Sequence, residues 1–302
     1  MKRDIISVAD MKEDFTDIIE LALKLKRGRY DSYEDAKNRV LALIFEKPST
    51  RTRVSFEVAM RQLGGHSIYL NPNDLQMGRG ETISDTAKVL SRFVDVIAYR
   101  AFENANVREL ALNASVPVIN ALDNVEHPVQ MLADFMTVLE RKGRLKGLKL
   151  VYIGDGNNVA NSLMMAGAVS GVNVTIATPK GYEPKDEFVS KARSLSTSAK
   201  IEISNDPSVA VTEADVVYTD VWISMGEEKE KEKKEKAFSG FQITPALMRK
   251  ASPTAMFLHC LPAHRGLEVS AEVIDGGQSF VFDEAENRLH TEKALLLKLL
   301  KF

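Results

Sequence analysis

Val40-Leu41-Ala42-Leu43-Ile44-Phe45, followed by Glu46-Lys47-Pro48-Ser49-Thr50-Arg51-Thr52-Arg53, is the stretch whose reading decides the fold class. The apolar run lacks a polar alternation, so it reads as a short strand buried on both faces, the habit of a parallel sheet. A polar loop follows it. Beyond the loop a helical pattern carries Val54, Phe56, Val58, Met60 and Leu63 and is stopped by Gly64-Gly65. Strand, loop and helix in that order are the building unit of an α/β protein.

Outward from this unit the alternation continues almost from end to end. In the first half, strands are expected at Val40–Phe45, Ser67–Leu70, Val94–Tyr99 and Val116–Asn120. In the second half they are expected at Leu148–Ile153, Val174–Ala177, Ile201–Ser204, Val216–Thr219, Met256–Cys260 and Phe280–Phe282. Between the halves, Met131, Leu132, Phe135, Val138 and Leu139 fall at helical spacing from His127 to about Lys142, with Gly143 as the stop. The expected fold is α/β, two doubly wound parallel-sheet domains joined by a long interdomain helix. Residues 1–133 and 134–285 form the expected domains, and a helix over 286–302 with Leu289, Leu295, Leu296, Leu299 and Leu300 on one face is expected to pack back on the first.

Composition narrows the function. The 302 residues hold 40 Lys and Arg against 42 Asp and Glu, a net charge of −2, which argues against a dedicated nucleic-acid surface. One cysteine supports neither an internal disulfide nor a cysteine-rich metal site, so a reducing cytoplasm is the expected compartment. The longest apolar runs fall far short of the about 20 residues needed to span a bilayer. Asp4, Asp10, Glu13 and Asp14 fit neither a signal peptide nor a transit sequence. Residues Glu227 to Lys236 are five Glu and five Lys, which reads as a solvated helical face with Glu227–Lys231 and Glu230–Lys234 pairs.

Several polar groups stand where an α/β fold places ligands. Ser49-Thr50-Arg51-Thr52-Arg53 lies between a strand and a helix N-terminus, where amide groups, hydroxyls and a guanidinium favour an anion such as phosphate. A capped helix with surface arginines, Arg53 pairing with Glu57, is the other reading, and the Walker pattern is absent. Arg100 ends one strand, and His127-Pro128-Val129-Gln130 opens the connecting helix. Gly154-Asp155-Gly156-Asn157-Asn158 has the position of a dinucleotide-binding turn but not its third glycine, since Val159 stands there. Asp220 with Ser224-Met225-Gly226 follows another strand and could bind an ammonium or close over a ligand. His259 and Cys260 are adjacent, and strand alternation would point them to opposite faces, against a nucleophile and base pair.

Taken in order, Ser49-Thr50-Arg51-Thr52-Arg53, His127-Pro128-Val129-Gln130, Asp220 with Ser224-Met225-Gly226, and His259-Cys260-Leu261-Pro262 resemble the aspartate/ornithine carbamoyltransferase family. The likeness covers essentially the whole chain, including Ala285-Glu286-Asn287-Arg288, and the last two motifs point to its ornithine-using branch. The resemblance implies a carbamoyl-phosphate-binding first domain, an ornithine-binding second domain, and a homotrimer or multiple of trimers with sites near subunit interfaces. By the same resemblance Ser49, Thr50, Arg51 and Thr52 bind the phosphate, joined by Gln76, which reaches a neighbouring subunit's site. Arg100, His127 and Gln130 hold the carbamoyl group. Cys260, Leu261 and Arg288 close the site, with a cis bond between Leu261 and Pro262. Asn158, Asp220, Ser224 and Met225 bind ornithine. Arg51, Thr52, Arg100, His127 and Cys260 are the expected catalytic group, and no metal or cofactor is expected. The family often has Cys where Val129 stands, a position not expected to do chemistry. A putrescine or modified-ornithine enzyme, or an inactive regulatory relative, is the alternative; a nicotinamide-dependent oxidoreductase ranks below these.

Overall fold

The computed structural model describes residues 2–28, 34–71, 73, 75–77, 80–223 and 228–300. The chain divides into two compact units, Met1–Met136 with Glu286–Phe302, and Thr137–Ala285.

The first unit opens with a 3-10 turn at Val8–Met11 and α1 (Phe15–Arg27). It continues through β1 (Val40–Phe45), α2 (Arg51–Gln62), β2 (His66–Leu70), α3 (Ile83–Leu90), β3 (Val96–Arg100), α4 (Asn104–Asn113), β4 (Val118–Leu122) and the start of α5 (Pro128–Lys142). The four strands are parallel in the order β2-β1-β3-β4. β1 is buried from Leu41 to Phe45, as its unbroken apolar run requires. Ala42 and Ile44 of β1, Ile97 and Tyr99 of β3 and Val118 of β4 pack in one cluster with Ala87 of α3 and Val107 and Leu110 of α4. Leu41, Leu43 and Phe45, offset by one residue, point to the other face.

The second unit takes up the rest of α5. It then runs through β5 (Lys149–Ile153), α6 (Asn158–Ser170), β6 (Asn173–Ala177), α7 (Asp186–Leu195), β7 (Ile201–Ser204), α8 (Pro207–Ala210) and β8 (Val216–Thr219). A 3-10 turn at Glu228–Glu230 leads into α9 (Lys231–Ala237), followed by α10 (Pro245–Met248), β9 (Met256–His259), α11 (Ala271–Ile274) and α12 (Val281–Leu300). Within α12 the chain returns to the first unit. The five strands are parallel in the order β7-β6-β5-β8-β9. Val151 and Ile153 of β5, Val217 of β8 and Phe257 of β9 share a core with Trp222, Phe238 and Phe241.

Both sheets reverse direction once. In the first, the chain leaves β1 toward β2 and then places β3 on the other side of β1. In the second, β6 and β7 build outward from one side of β5, and β8 and β9 from the other. Each reversal leaves a crevice beyond the carboxyl ends of two strands, β1 and β3 in one unit and β5 and β8 in the other.

Two expectations need correction. Phe280–Phe282 is not a strand: Phe257 bonds to Gln278 and Phe280 as an isolated bridge beside Ser279, and Val281 already opens α12. The Glu/Lys stretch is not wholly a solvated face. Lys231 pairs loosely with Glu235 at 3.9 Å, but Lys234 turns inward and is 3% exposed, so the expected Glu230–Lys234 pair does not form. Glu227 lies outside the described residues.

Candidate active site

Three segments of the first unit converge at the β1/β3 crevice. The loop after β1 delivers Ser49 and Thr50 to the start of α2, Arg51 and Thr52 open that helix, and Arg100 is the last residue of β3. Thr50 occupies the cap position of α2 but makes no side-chain cap bond, unlike Thr82 before α3 or Asn157 before α6. The Thr50 hydroxyl therefore does not close the start of α2, a position where an anion is favoured. Arg53 instead pairs with Glu57 at 2.9 Å and stacks over the Tyr69 ring at 3.6 Å, so within the motif its role is structural. The pairing of β3 with β4 shifts register between Tyr99 and Arg100, and such an irregularity re-aims the side chain next to it.

His127 is held by its own loop. Asp123 accepts from the amides of Val125 at 2.7 Å and Glu126 at 2.8 Å, and Glu126 accepts from the Ser7 hydroxyl at 2.6 Å and the Val8 amide at 2.9 Å. The imidazole is buried, and burial above all, then Arg288, Arg100 and Arg51, holds its pKa well below the usual histidine value. It is a neutral donor at physiological pH.

Arg288 of α12 joins these pieces. Its guanidinium donates to Gln130 Oε1, to Thr52 Oγ1 at 3.1 Å and to Glu292 Oε1 at 2.8 Å. Gln130 passes its amide on to Asp134 at 2.8 Å. Because guanidinium has no acceptor, Thr52 must accept from Arg288, which leaves the threonine proton for another partner. Arg51, Thr52, Arg100, His127, Gln130 and Arg288 are thus brought together in one unit. Gln76 is exposed, on a tight bridge between Met77 and Glu81.

The second unit gathers its own set at the β5/β8 crevice. Asp220, just after β8, is buried; the Cys260 thiol donates to it at 3.2 Å and the Asn157 amide reaches it at 3.5 Å. Asn157 also caps α6 through the amides of Val159 and Ala160 at 2.9 and 3.2 Å. The helix N-terminus that a pyrophosphate would need is filled by that side chain. Gly156 serves packing: a Cβ there would lie 2.3 Å from the Pro184 nitrogen. Asn158, the first residue of α6, is half-buried. The Leu261-Pro262 bond is cis. Ser224 and Met225 lie outside the described residues.

His259 and Cys260 depart from the expected geometry. β9 ends at His259, so alternation does not carry through to Cys260, and ligand atoms of Asp220, His259 and Cys260 lie within 4.8 Å of one another. The imidazole is nevertheless committed: Nδ1 accepts from the Leu261 amide at 2.8 Å and Nε2 faces Glu268 at 3.4 Å. It cannot serve as the base of a thiol nucleophile, nor offer a lone pair to a metal without losing those contacts.

Sequence reasoning missed four buried partners. Glu292 and Asp134 stand four residues after Arg288 and Gln130, so helical spacing could have found them. Lys234 and Asp155 form a buried ion pair at 2.7 Å across 79 positions, which no local pattern reveals.

Comparison with known proteins places this arrangement. Residues 3–140 match the family described as the carbamoyl-P binding domain of aspartate/ornithine carbamoyltransferase, and residues 146–299 match its Asp/Orn binding domain. The chain belongs to the aspartate/ornithine carbamoyltransferase family. Within that family it is 61% identical to the catabolic ornithine carbamoyltransferase of Thermoplasma acidophilum, across 100% of this chain and 99% of that one. Identity to the ornithine carbamoyltransferase of Picrophilus torridus is 62%, across 99% and 100%. The solved ornithine carbamoyltransferase of Pyrococcus furiosus superposes with a TM-score of 0.94 at 51% identity, covering 98% of this chain and 96% of that one. Among the described residues no helix is long and apolar enough to cross a membrane.

Proposed function

We propose that this carbamoyltransferase-family chain transfers the carbamoyl group of carbamoyl phosphate to the side-chain amine of L-ornithine, giving L-citrulline and phosphate. The observation that carries the reading is the Arg288 junction, which ties Thr52 and Gln130 together beside His127, Arg51 and Arg100. A cluster of donors with one buried neutral imidazole suits a doubly charged donor substrate whose carbonyl oxygen gains charge during reaction.

In this reading Ser49, Thr50, Arg51, Thr52 and the N-terminus of α2 bind the phosphate. Thr52, Arg100 and His127 donate to the carbonyl oxygen, and Gln130 with Arg288 fixes the carbamoyl nitrogen side. The neutral amine attacks the carbonyl carbon, a tetrahedral intermediate forms, and the C–O bond to phosphate breaks. Because the amine attacks the substrate carbon directly, no covalent enzyme intermediate is required, and the departing phosphate can take the amine's surplus proton. Donors that meet the oxygen best as it becomes anionic lower the barrier more than they tighten substrate binding. In the second unit Asp220 receives the α-ammonium of ornithine with Asn158, Ser224 and Met225, while Cys260 and Leu261 shape the end that carries the reacting amine. We also assign the chain to the cytoplasm, to arginine metabolism and to a homotrimer in which exposed Gln76 reaches a neighbouring site.

The test is Arg51→Ala. A folded variant whose turnover falls about 100- to 1,000-fold supports the assignment, the usual cost of removing one donor to charge that develops in the transition state, here on the departing phosphate; undiminished turnover contradicts it.

A further inference from the structure

Glu292 lies on α12 one turn beyond Arg288 and is fully buried. One of its oxygens accepts from Arg288 at 2.8 Å, and the other, Oε2, has no hydrogen-bond partner among the described residues. The groups that face the carboxyl are Arg288 on its own helix and, on α2, Ser55, whose hydroxyl donates to the Thr52 carbonyl at 3.3 Å. From α5, Gln130 and Asp134 connect to it only through Arg288, and from α1, Lys26 reaches Asn287 at 2.8 Å instead. A carboxylate buried with a single cation and half its acceptor capacity unused does not belong to a set built only to attract an anion.

We propose that Glu292 tunes the carbamoyl-phosphate half-site through Arg288, holding the guanidinium in register with Thr52 and Gln130 while its charge opposes that of a bound phosphate dianion. The inference rests on the reading of this half-site given above. It makes Glu292 a positioning residue, acting through Arg288 and not on substrate.

The consequence is linkage. Burial, offset in part by Arg288 and Ser55, raises the Glu292 carboxyl from its ordinary value of 4.5 to about 7 in the free protein. A dianion on Arg51, Arg100 and Arg288 adds like charge beside it and favours the protonated form still further. Anion binding therefore draws a proton onto Glu292, and by reciprocity affinity falls as the pH rises past about 7. Arginines do not titrate in this range and His127 is held well below it, while His290 on α12 and Lys47 beside Arg100, both lowered chiefly by burial, are the other titrating groups near the half-site, so the part of the slope lost in a Glu292 variant is the part that belongs to Glu292.

Sulfate, a dianion throughout the range, is the probe for the full-length protein over about pH 6 to 8. In the wild type its dissociation constant, and the KM for carbamoyl phosphate, should rise with pH by at most roughly tenfold per unit. Glu292→Gln keeps the acceptor for Arg288 but removes the charge; its binding should depend less steeply on pH than the wild type's and be tighter at the alkaline end, with no change in the pH dependence of the ornithine KM. A purely structural Glu292 would lower stability in the variant without changing these slopes. Equal slopes in the two proteins overturn the proposal. If the variant does not fold, proton uptake on sulfate binding to the wild type at about pH 7 decides: net uptake supports the proposal and none overturns it. Sulfate linkage in a protein that makes no citrulline would uphold this inference and contradict the assigned activity.

Discussion

A guanidinium offers five donors and no acceptor, and Arg288 divides its donors among Thr52, Gln130 and Glu292. Its position four residues before Glu292 was legible in the sequence, but its contact with Thr52, 236 positions away, was not. His127 makes the same point from the other direction. Its type and place before α5 marked it as a candidate site residue, whereas its neutrality follows from burial and three arginines supplied by distant elements. That neutrality has a measurable cost. Because the folded protein resists protonating His127 and the unfolded chain does not, the unfolded state binds the extra proton as the pH falls below about 6.5. Stability should therefore decline on acidification from that point. His127→Gln should remove this part of the slope in urea titrations at a series of pH values; an unchanged slope would show that the imidazole is not held neutral.

At the scale of elements, apolar runs bounded by polar loops marked nine strands to within two residues; for inner strands such as β1 and β3 the signal is unbroken because both faces are buried, while the edge strands β2 and β7 are half-exposed and were marked by β-branched and aromatic residues. Phe280–Phe282 failed because an aromatic, β-branched triplet is too short to distinguish a bridge from the first turn of α12. Lys234 failed for another reason: local charge pairing sees i+4, and its partner Asp155 comes from the loop after β5. α9 is fixed by that pair and by Phe238, which stacks on Trp222 at 5.5 Å and meets Tyr182 edge-on at 5.1 Å. Breaking a buried pair by removing one partner costs about 3–5 kcal/mol, so Lys234→Met should destabilise by that order in chemical denaturation. Adding Asp155→Asn should restore much of the loss, while exposed Lys231→Ala should change stability by about 0.5 kcal/mol or less. Phe238→Ala should cost about 3–5 kcal/mol through the cavity it leaves. If Lys234→Met proves as mild as Lys231→Ala, the pair is not buried in solution.

For the whole molecule, two sheets that each reverse once create two crevices, and the chain places guanidinium and hydroxyl groups at one and a carboxylate with a thiol at the other. The motifs and their order made the fold class and the family readable before any coordinates, since short polar loops after strands are local features. The support behind those motifs was not readable, because it comes from α5 and α12 meeting α2 inside one unit. The most direct test of the central claim is citrulline formation by the purified full-length protein from carbamoyl phosphate and L-ornithine, beside L-aspartate and putrescine as alternative acceptors. The account predicts stoichiometric citrulline and phosphate with ornithine and at most background product with the other two; no product with ornithine, or equal product with putrescine, would contradict it.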